Sequence, residues 1–202
     1  MRHPAPWLAL MAALLVVHLM SAQTLSGDAL IKGFRRGGYV LVIRHASSPR
    51  DAPSQQTANA DNSHFERQLD DNGRVTAIGM GQALRNLKIP IGDVFTSPTY
   101  RALQTVRFAQ LPHPHEQLEL GDAGQSMQGV SDAQTAWLKQ QVTQMPKSTN
   151  TIIVTHLPNM AAAFPQWTSG LLDGETLVLG SDGKGGATLV ARIKIEQWST
   201  MK

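Results

Sequence analysis

The sequence predicts an α/β fold with three layers: a mostly parallel central sheet with one antiparallel edge, and helices on both faces. Three observations predict it. Two short β-branched runs, YVLVI at 39–43 and TIIVT at 151–155, lack the polar alternation of a half-exposed strand and read as strands buried on both faces. Segments with helical spacing lie between them, and strands alternating with helices argue for a parallel sheet. Near the C-terminus, strands at 176–180 and 187–195 flank the turn SDGKGG, which reads as an antiparallel hairpin.

The elements follow in order. Ser26-Gly27-Asp28 opens a short helix to Phe34, closed by Gly37-Gly38. Strand one ends at Ile43, and Arg44 and His45 follow it. Residues 47–66 are polar and rich in Ser, Pro, Asn and Gln, which predicts a surface loop beside the end of that strand. Asn72-Gly73 leads into a helix whose apolar face is Val75, Ile78, Ala83, Leu84 and Leu87, weakened by Gly79 and Gly81. A short strand at 93–96 is followed by Ser97-Pro98, serine as cap and proline at the first helical position. That helix carries Arg101, Gln104 and Thr105 to about Ala109. Residues 111–124 read as a loop, 131–145 as a helix, and Trp198 as a packing residue that pins the final strand.

The amino terminus predicts export. Arg2 and His3 precede the apolar run 7–20, and the small residues Ser21 and Ala22 follow, the layout of a signal peptide. The run is short of the roughly 20 residues of a membrane span. Residues 1–22 are therefore expected to be a leader and 23–202 the functional domain, periplasmic or secreted; the same run could instead persist as an anchor. With no cysteine in the chain, disulfides, thiolate catalysis, zinc–thiolate sites and a lipid anchor on cysteine are excluded. A formal net charge of only +3, with dispersed lysines and arginines, gives nucleic-acid binding no support.

Ligands of open α/β sheets bind at the carboxyl ends of strands. Here Arg44 and His45 end one strand and His156 ends another, a set suited to holding and attacking an anion. Taken singly, each has a plainer reading: a polar strand end, a hydrogen-bonded structural histidine, or, for Arg101, a helix-surface ion pair contributing about 0–1 kcal/mol. His113 and His115 in PHPH lack the spacing and partners of a zinc site and read as loop residues, as does His64.

Together, RHA at 44–46, SPTYRALQT at 97–105 and VTHLPN at 154–159, in that order, resemble the histidine phosphatase superfamily, also called phosphoglycerate-mutase-like. The resemblance runs from about Gly37 to Trp198, and the segments GGYVLVIRHA and GGATLVARIKIEQW look most like its small exported members. It implies that His45 is the nucleophile that takes the phosphoryl group, that Arg44 and Arg101 clamp the phosphoryl oxygens, and that His156 donates a further hydrogen bond to them. Gln104 and Thr105 would support Arg101. The chemistry suits the residue types: a neutral imidazole is nucleophilic near pH 7, and guanidinium forks match phosphate in bidentate fashion. No metal or cofactor is implied, and the partner is a small phosphorylated substrate.

Two parts of the family pattern are poorly matched. The general acid that protonates the leaving alcohol has no clean motif; Glu119 ranks first, Asp122 second and Glu175 third. The loop after His45 lacks the family's phosphate-binding asparagine, and Ser47 is the candidate substrate contact there, with Ser48 and Arg50 beside it. The leading expectation is an exported, metal-independent phosphatase acting on a phosphomonoester through a phosphohistidine. A phosphohistidine (phosphoramidate) phosphatase and a non-catalytic phosphate-binding protein are the alternatives; the oligomeric state stays open.

Overall fold

The computed structural model describes residues 27–122 and 129–202, so the expected leader at 1–22 lies outside the described residues. Among the described residues, six strands form one mixed sheet: β1 (Val40–Arg44), β2 (Ile91–Thr96), β3 (Pro114–Glu116), β4 (Asn150–Thr155), β5 (Thr176–Ser181) and β6 (Ala187–Ile193). Their order across the sheet is β3-β2-β4-β1-β5-β6. The first four are parallel, and β5 and β6 add the antiparallel side. Five α-helices among the described residues flank it: α1 (Asp28–Arg36), α2 (Asp71–Asn86), α3 (Tyr100–Ala109), α4 (Asp132–Gln141) and α5 (Leu157–Ala163).

The two apolar runs form the centre of the sheet because every side chain in them has a core to enter. Leu41 and Ile43 of β1, with Ile152 and Val154 of β4, pack beneath α1, α2 and α3. Val40, Val42 and Ile153 face the other way, against Leu138 of α4 and Met160 of α5. Helices on both faces thus account for strands without polar alternation. Trp198 is fully buried and stacks on Phe34 of α1, with ring centroids 5.8 Å apart, so it ties the C-terminal turn to a helix as well as to the sheet.

Three expectations need correction. On α2, Val75 and Ile78 are 66% and 38% exposed, while Ala83, Leu84 and Leu87 of the expected face are buried; the rest of the buried stripe is Gly73, Ala77, Met80 and Gly81. The reason is close backbone approach: a Cβ on Gly81 would lie 1.9 Å from Ala109 O, and one on Gly73 would lie 2.1 Å from Ser47 O. The glycines that weaken the helix locally are what let it dock. The second correction concerns α3, which begins two residues later than the Ser-Pro signal implies, with Thr99 as its cap residue. The third is that β3 lies in the stretch read as loop, while α5 falls where the sequence reading assigns no element. Strand β3 is three residues long and exposed, and α5 follows His156 directly.

Candidate active site

The parallel register brings three strand ends together. Beyond β1, the His45 N–H donates to Thr155 O (2.9 Å). Beyond β2, the Ser97 N–H donates to Val154 O (2.9 Å). Beyond β4, His156 is the cap residue of α5. The imidazoles of His45 and His156 are neighbours, with ring centroids 5.2 Å apart and planes tilted by 57°, and both are buried.

Arg101 reaches the same point from the first turn of α3. Its backbone is tied to the His45 segment through Thr105, whose Oγ1 donates to Arg101 O (2.9 Å) and accepts from the Ala46 N–H (3.0 Å). Gln104 accepts from the Leu69 N–H (2.6 Å), fixing the helix against the loop before α2. Thr105 therefore bonds the Arg101 backbone directly, while Gln104 holds the helix that carries it. The Arg101 guanidinium donates to Asp122 and, over 3.1 Å, to His156 Nδ1. Arg44 donates to Leu171 O (2.8 Å) and pairs with Asp173 Oδ1 (2.5 Å). Burial raises the Asp173 carboxyl, with Arg44 pulling the other way. The buried Nε–H donors of Arg44 and Arg101 have no hydrogen-bond partner among the described residues, a cost of about 1–3 kcal/mol each that an oxyanion could remove.

His45 has a defined tautomer. Its Nδ1 lies 2.8 Å from Ala46 O, and a carbonyl only accepts, so Nδ1 carries the hydrogen and Nε2 carries the lone pair. Burial, together with the charges of Arg101, Arg44 and Arg67, lowers its pKa from 6.5 to about 3, against the opposing pull of the Ala46 bond. At neutral pH the ring is uncharged. The same shift makes stability depend on pH. The folded state binds fewer protons than the unfolded chain between pH 6.5 and 3, so the stability present above 6.5 is lost as pH falls through that window, at up to about 1.4 kcal/mol per pH unit from this group. In urea unfolding at pH 7 and pH 4, His45→Gln is expected to lose less stability than wild type; equal losses would refute the depressed ring.

A cavity of about 510 Å³ opens beside Arg101. Arg50, His64, Glu66 and Arg67 line it from the loop after β1, with Thr99 and Asp122 opposite. Of the loop's side chains here, only Arg50 is a candidate substrate contact in the sequence. The loop is built by its own polar bonds: Asn62 is buried and bonds both N–H and C=O of Glu66 (3.0 and 2.7 Å), while Arg67 donates to Ser48 Oγ (2.8 Å) and Pro49 O (2.6 Å). Glu66 in turn accepts from the Tyr100 N–H (3.0 Å), joining the loop to α3. His64, read as a loop bystander, belongs to the cavity wall.

The remaining candidates separate. Asp122 is at the site. Glu119 does not line the cavity; only its backbone carbonyl is engaged, accepting from Asn159 Nδ2 (3.3 Å). Glu175 is buried elsewhere, paired with Arg192 (2.6 Å) and accepting from the Leu172 N–H (2.9 Å). Ser47 donates to Asp70 Oδ2 (2.7 Å), the carboxylate that caps α2, so its hydroxyl serves a helix terminus. His115 lies in β3 against Phe95 (ring centroids 6.1 Å). Among the described residues, no three His, Asp or Glu side chains gather where they could share a metal ion, and no helix is long and apolar enough to cross a membrane.

No family model matches the sequence, and no curated protein matches it by sequence. Solved structures do match the fold. The protein histidine phosphatase SixA, complexed with tungstate, superposes with a TM-score of 0.55 at 21% identity, over 79% of this chain and 98% of that one. YhfR of Bacillus stearothermophilus matches with a TM-score of 0.53 at 16% identity, over 76% and 95%. A phosphoserine phosphatase mutant from Entamoeba histolytica, in complex with phosphoserine, matches with a TM-score of 0.52 at 13% identity, over 78% and 98%. At these identities the likeness is one of architecture: the chain shares the fold of these solved structures.

Proposed function

We propose that this chain is an exported phosphatase that hydrolyses a small phosphomonoester through a phosphohistidine on His45. The observation that carries the reading is the state of that ring: buried, uncharged, its Nδ1–H held by Ala46 O and its Nε2 lone pair set among arginines. In the first step Nε2 bonds to phosphorus as the ester P–O bond breaks; in the second, water takes the phosphoryl group and restores His45. Arg101 and Arg44 hold the phosphoryl oxygens, and Arg67 adds to the positive field. Such a site works by positioning and electrostatic stabilisation of the transferred charge, and the reading assigns it no metal. The cavity takes the rest of the substrate. Asp122, placed there beside Arg101, is the favoured proton donor to the leaving oxygen. The basic start, apolar run and small residues of the first 22 positions support export.

One observation favours a second reading. Asp122 is bound to Arg101, and neither Glu119 nor Glu175 lines the cavity. A phosphoramidate, whose leaving group needs less help from a carboxylic acid, would suit such a site. The test is hydrolysis of p-nitrophenyl phosphate in EDTA, followed by an alkyl phosphate and a phosphoramidate side by side. Turnover of the nitrophenyl ester in EDTA and of the alkyl ester is expected. Turnover of the phosphoramidate with an inert alkyl ester would install the second reading, and no turnover of any of them would overturn both.

A further inference from the structure

The cavity beside the site is larger than a phosphoryl group requires: about 510 Å³, within the roughly 300–1,000 Å³ of small-molecule sites. Arg50, Arg67 and Arg101 all line it, and they are not equivalent. Arg101 is paired with Asp122, as Arg44 at the end of β1 is paired with Asp173. Arg50 and Arg67 have no carboxylate within ion-pair distance among the described residues. The other acidic residue on the wall, Glu66, has one carboxylate oxygen accepting from the Tyr100 N–H (3.0 Å).

Arg67 is also held in place. Its Nε donates to Pro49 O (2.6 Å), and its Nη2 donates to Ser48 Oγ (2.8 Å) and Ser48 O (3.3 Å). These acceptors are neutral, so they orient the guanidinium without cancelling its charge, and Nη1 is left without a partner among the described residues. Burial chiefly lowers His45 and His156, and the Arg67 charge adds to that in both, so the charge is felt at the reacting end of the cavity. Arg50 and His64, both exposed, line the cavity from the same loop. A fixed and uncompensated guanidinium in a concave site attracts an anion and binds it through charge-assisted hydrogen bonds. The phosphoryl oxygens already have Arg44 and Arg101, so the charge of the loop arginines is available to another group.

We propose that Arg67 and Arg50 form a subsite for a second anionic group of the substrate, a carboxylate or a further phosphate a few bonds from the phosphoryl group that is transferred. The substrate class is then a phosphomonoester with another negative charge, rather than the phosphate of a neutral sugar or alcohol. That the ligand is a substrate rests on the phosphatase reading above; the preference in binding does not.

The experiment is calorimetry of the full chain at pH 7 in low salt, with phosphonates, which present the phosphoryl anion but have no ester bond to hydrolyse. A series of ω-phosphonocarboxylic acids of increasing chain length is compared with the matching carboxamides, and α,ω-bisphosphonates with simple alkylphosphonates. At one chain length or more, the doubly anionic ligand is expected to bind roughly 10–100-fold tighter than its singly anionic counterpart, the scale of a hydrogen bond to a charged group. The preference should shrink as salt is added, and the better of the two series tells a carboxylate from a second phosphate. Arg67→Gln and Arg50→Gln are each expected to bring the ratio toward one, whereas a merely structural role would weaken both ligands alike. Equal binding of both ligand types at every length, no binding of any phosphonate, or an unchanged ratio in both folded variants would overturn the proposal, and the wild-type series decides even if a variant fails to fold. A preference for the doubly anionic ligand in a chain that hydrolyses no ester would leave the subsite standing and remove the phosphatase reading; turnover of p-nitrophenyl phosphate without that preference would do the reverse.

Discussion

His45→Ala is expected to lower turnover of p-nitrophenyl phosphate by roughly 10⁴-fold or more, the scale seen when a covalent nucleophile is removed. Nothing else at the site can replace it. His156 has Nδ1 against Arg101 and Nε2 against Ser97 and Thr99, and the Ser97 hydroxyl accepts from the Thr99 N–H. The variant should still fold, because His45 is held through backbone bonds that alanine keeps: its N–H to Thr155 O (2.9 Å), and its carbonyl accepting from the Gly174 N–H (2.9 Å). It should also still bind inorganic phosphate, since Arg44 and Arg101 remain. Calorimetry of phosphate binding beside the rate assay therefore separates the readings. Lost turnover with retained binding supports a phosphohistidine. Turnover that survives in the variant rules it out, and a wild type that binds phosphate without turning over any ester or phosphoramidate is a binding protein.

Arg101→Ala carries the second large effect. The guanidinium is 5% exposed and contacts Asp122 and His156 at once. Its loss removes a preorganised charge where charge develops during transfer, which typically costs about 10²–10³-fold in rate. Lysine at this position keeps the charge but not the fork, so Arg101→Lys is expected between wild type and alanine. The stability cost should be smaller than for a sealed ion pair. The Asp122 side chain is 17% exposed and can meet water, so about 1–3 kcal/mol is expected, as for a lost charged hydrogen bond. Steady-state kinetics and thermal unfolding of both variants check the two halves. A fall in stability with kcat/KM unchanged would show Arg101 to be structural only.

The residues differ in how far local chemistry reveals them. His45, Arg44 and His156 were legible because each follows a β-branched run, and the end of such a run is visible in the chain itself. Arg101, Gln104 and Thr105 were legible as a spaced motif, and the structure gives each a contact at the site or behind it. Arg67, Glu66 and His64 were not. They sit in a loop without periodicity, and their positions are set by bonds to Ser48, Asn62 and Tyr100, which only folding brings near. Ser97 was misread because a Ser-Pro helix start and a serine bonded to a distant imidazole look identical along the chain.

By itself, then, the sequence determined the α/β class, the central strands and the residues at their ends. Those follow from side-chain burial with period two or less and from where each apolar run stops, properties that act over a few neighbours. Tertiary structure alone decided which carboxylate stands at the site, which face of α2 is buried and which nitrogen of each histidine carries its hydrogen. Asp122 stands there, and Glu119 does not, because the chain meets Arg101 at that point. Gly81 faces inward because Ala109 O comes within 1.9 Å of where a Cβ would be. The tautomers are set by Ala46 O, which only accepts, for His45 and by Arg101, which only donates, for His156. For Gly81 and His156 the partner lies tens of residues away, and for His45 it is the folded course of the chain at the next residue; each is a choice of donor, acceptor or space that no local pattern encodes.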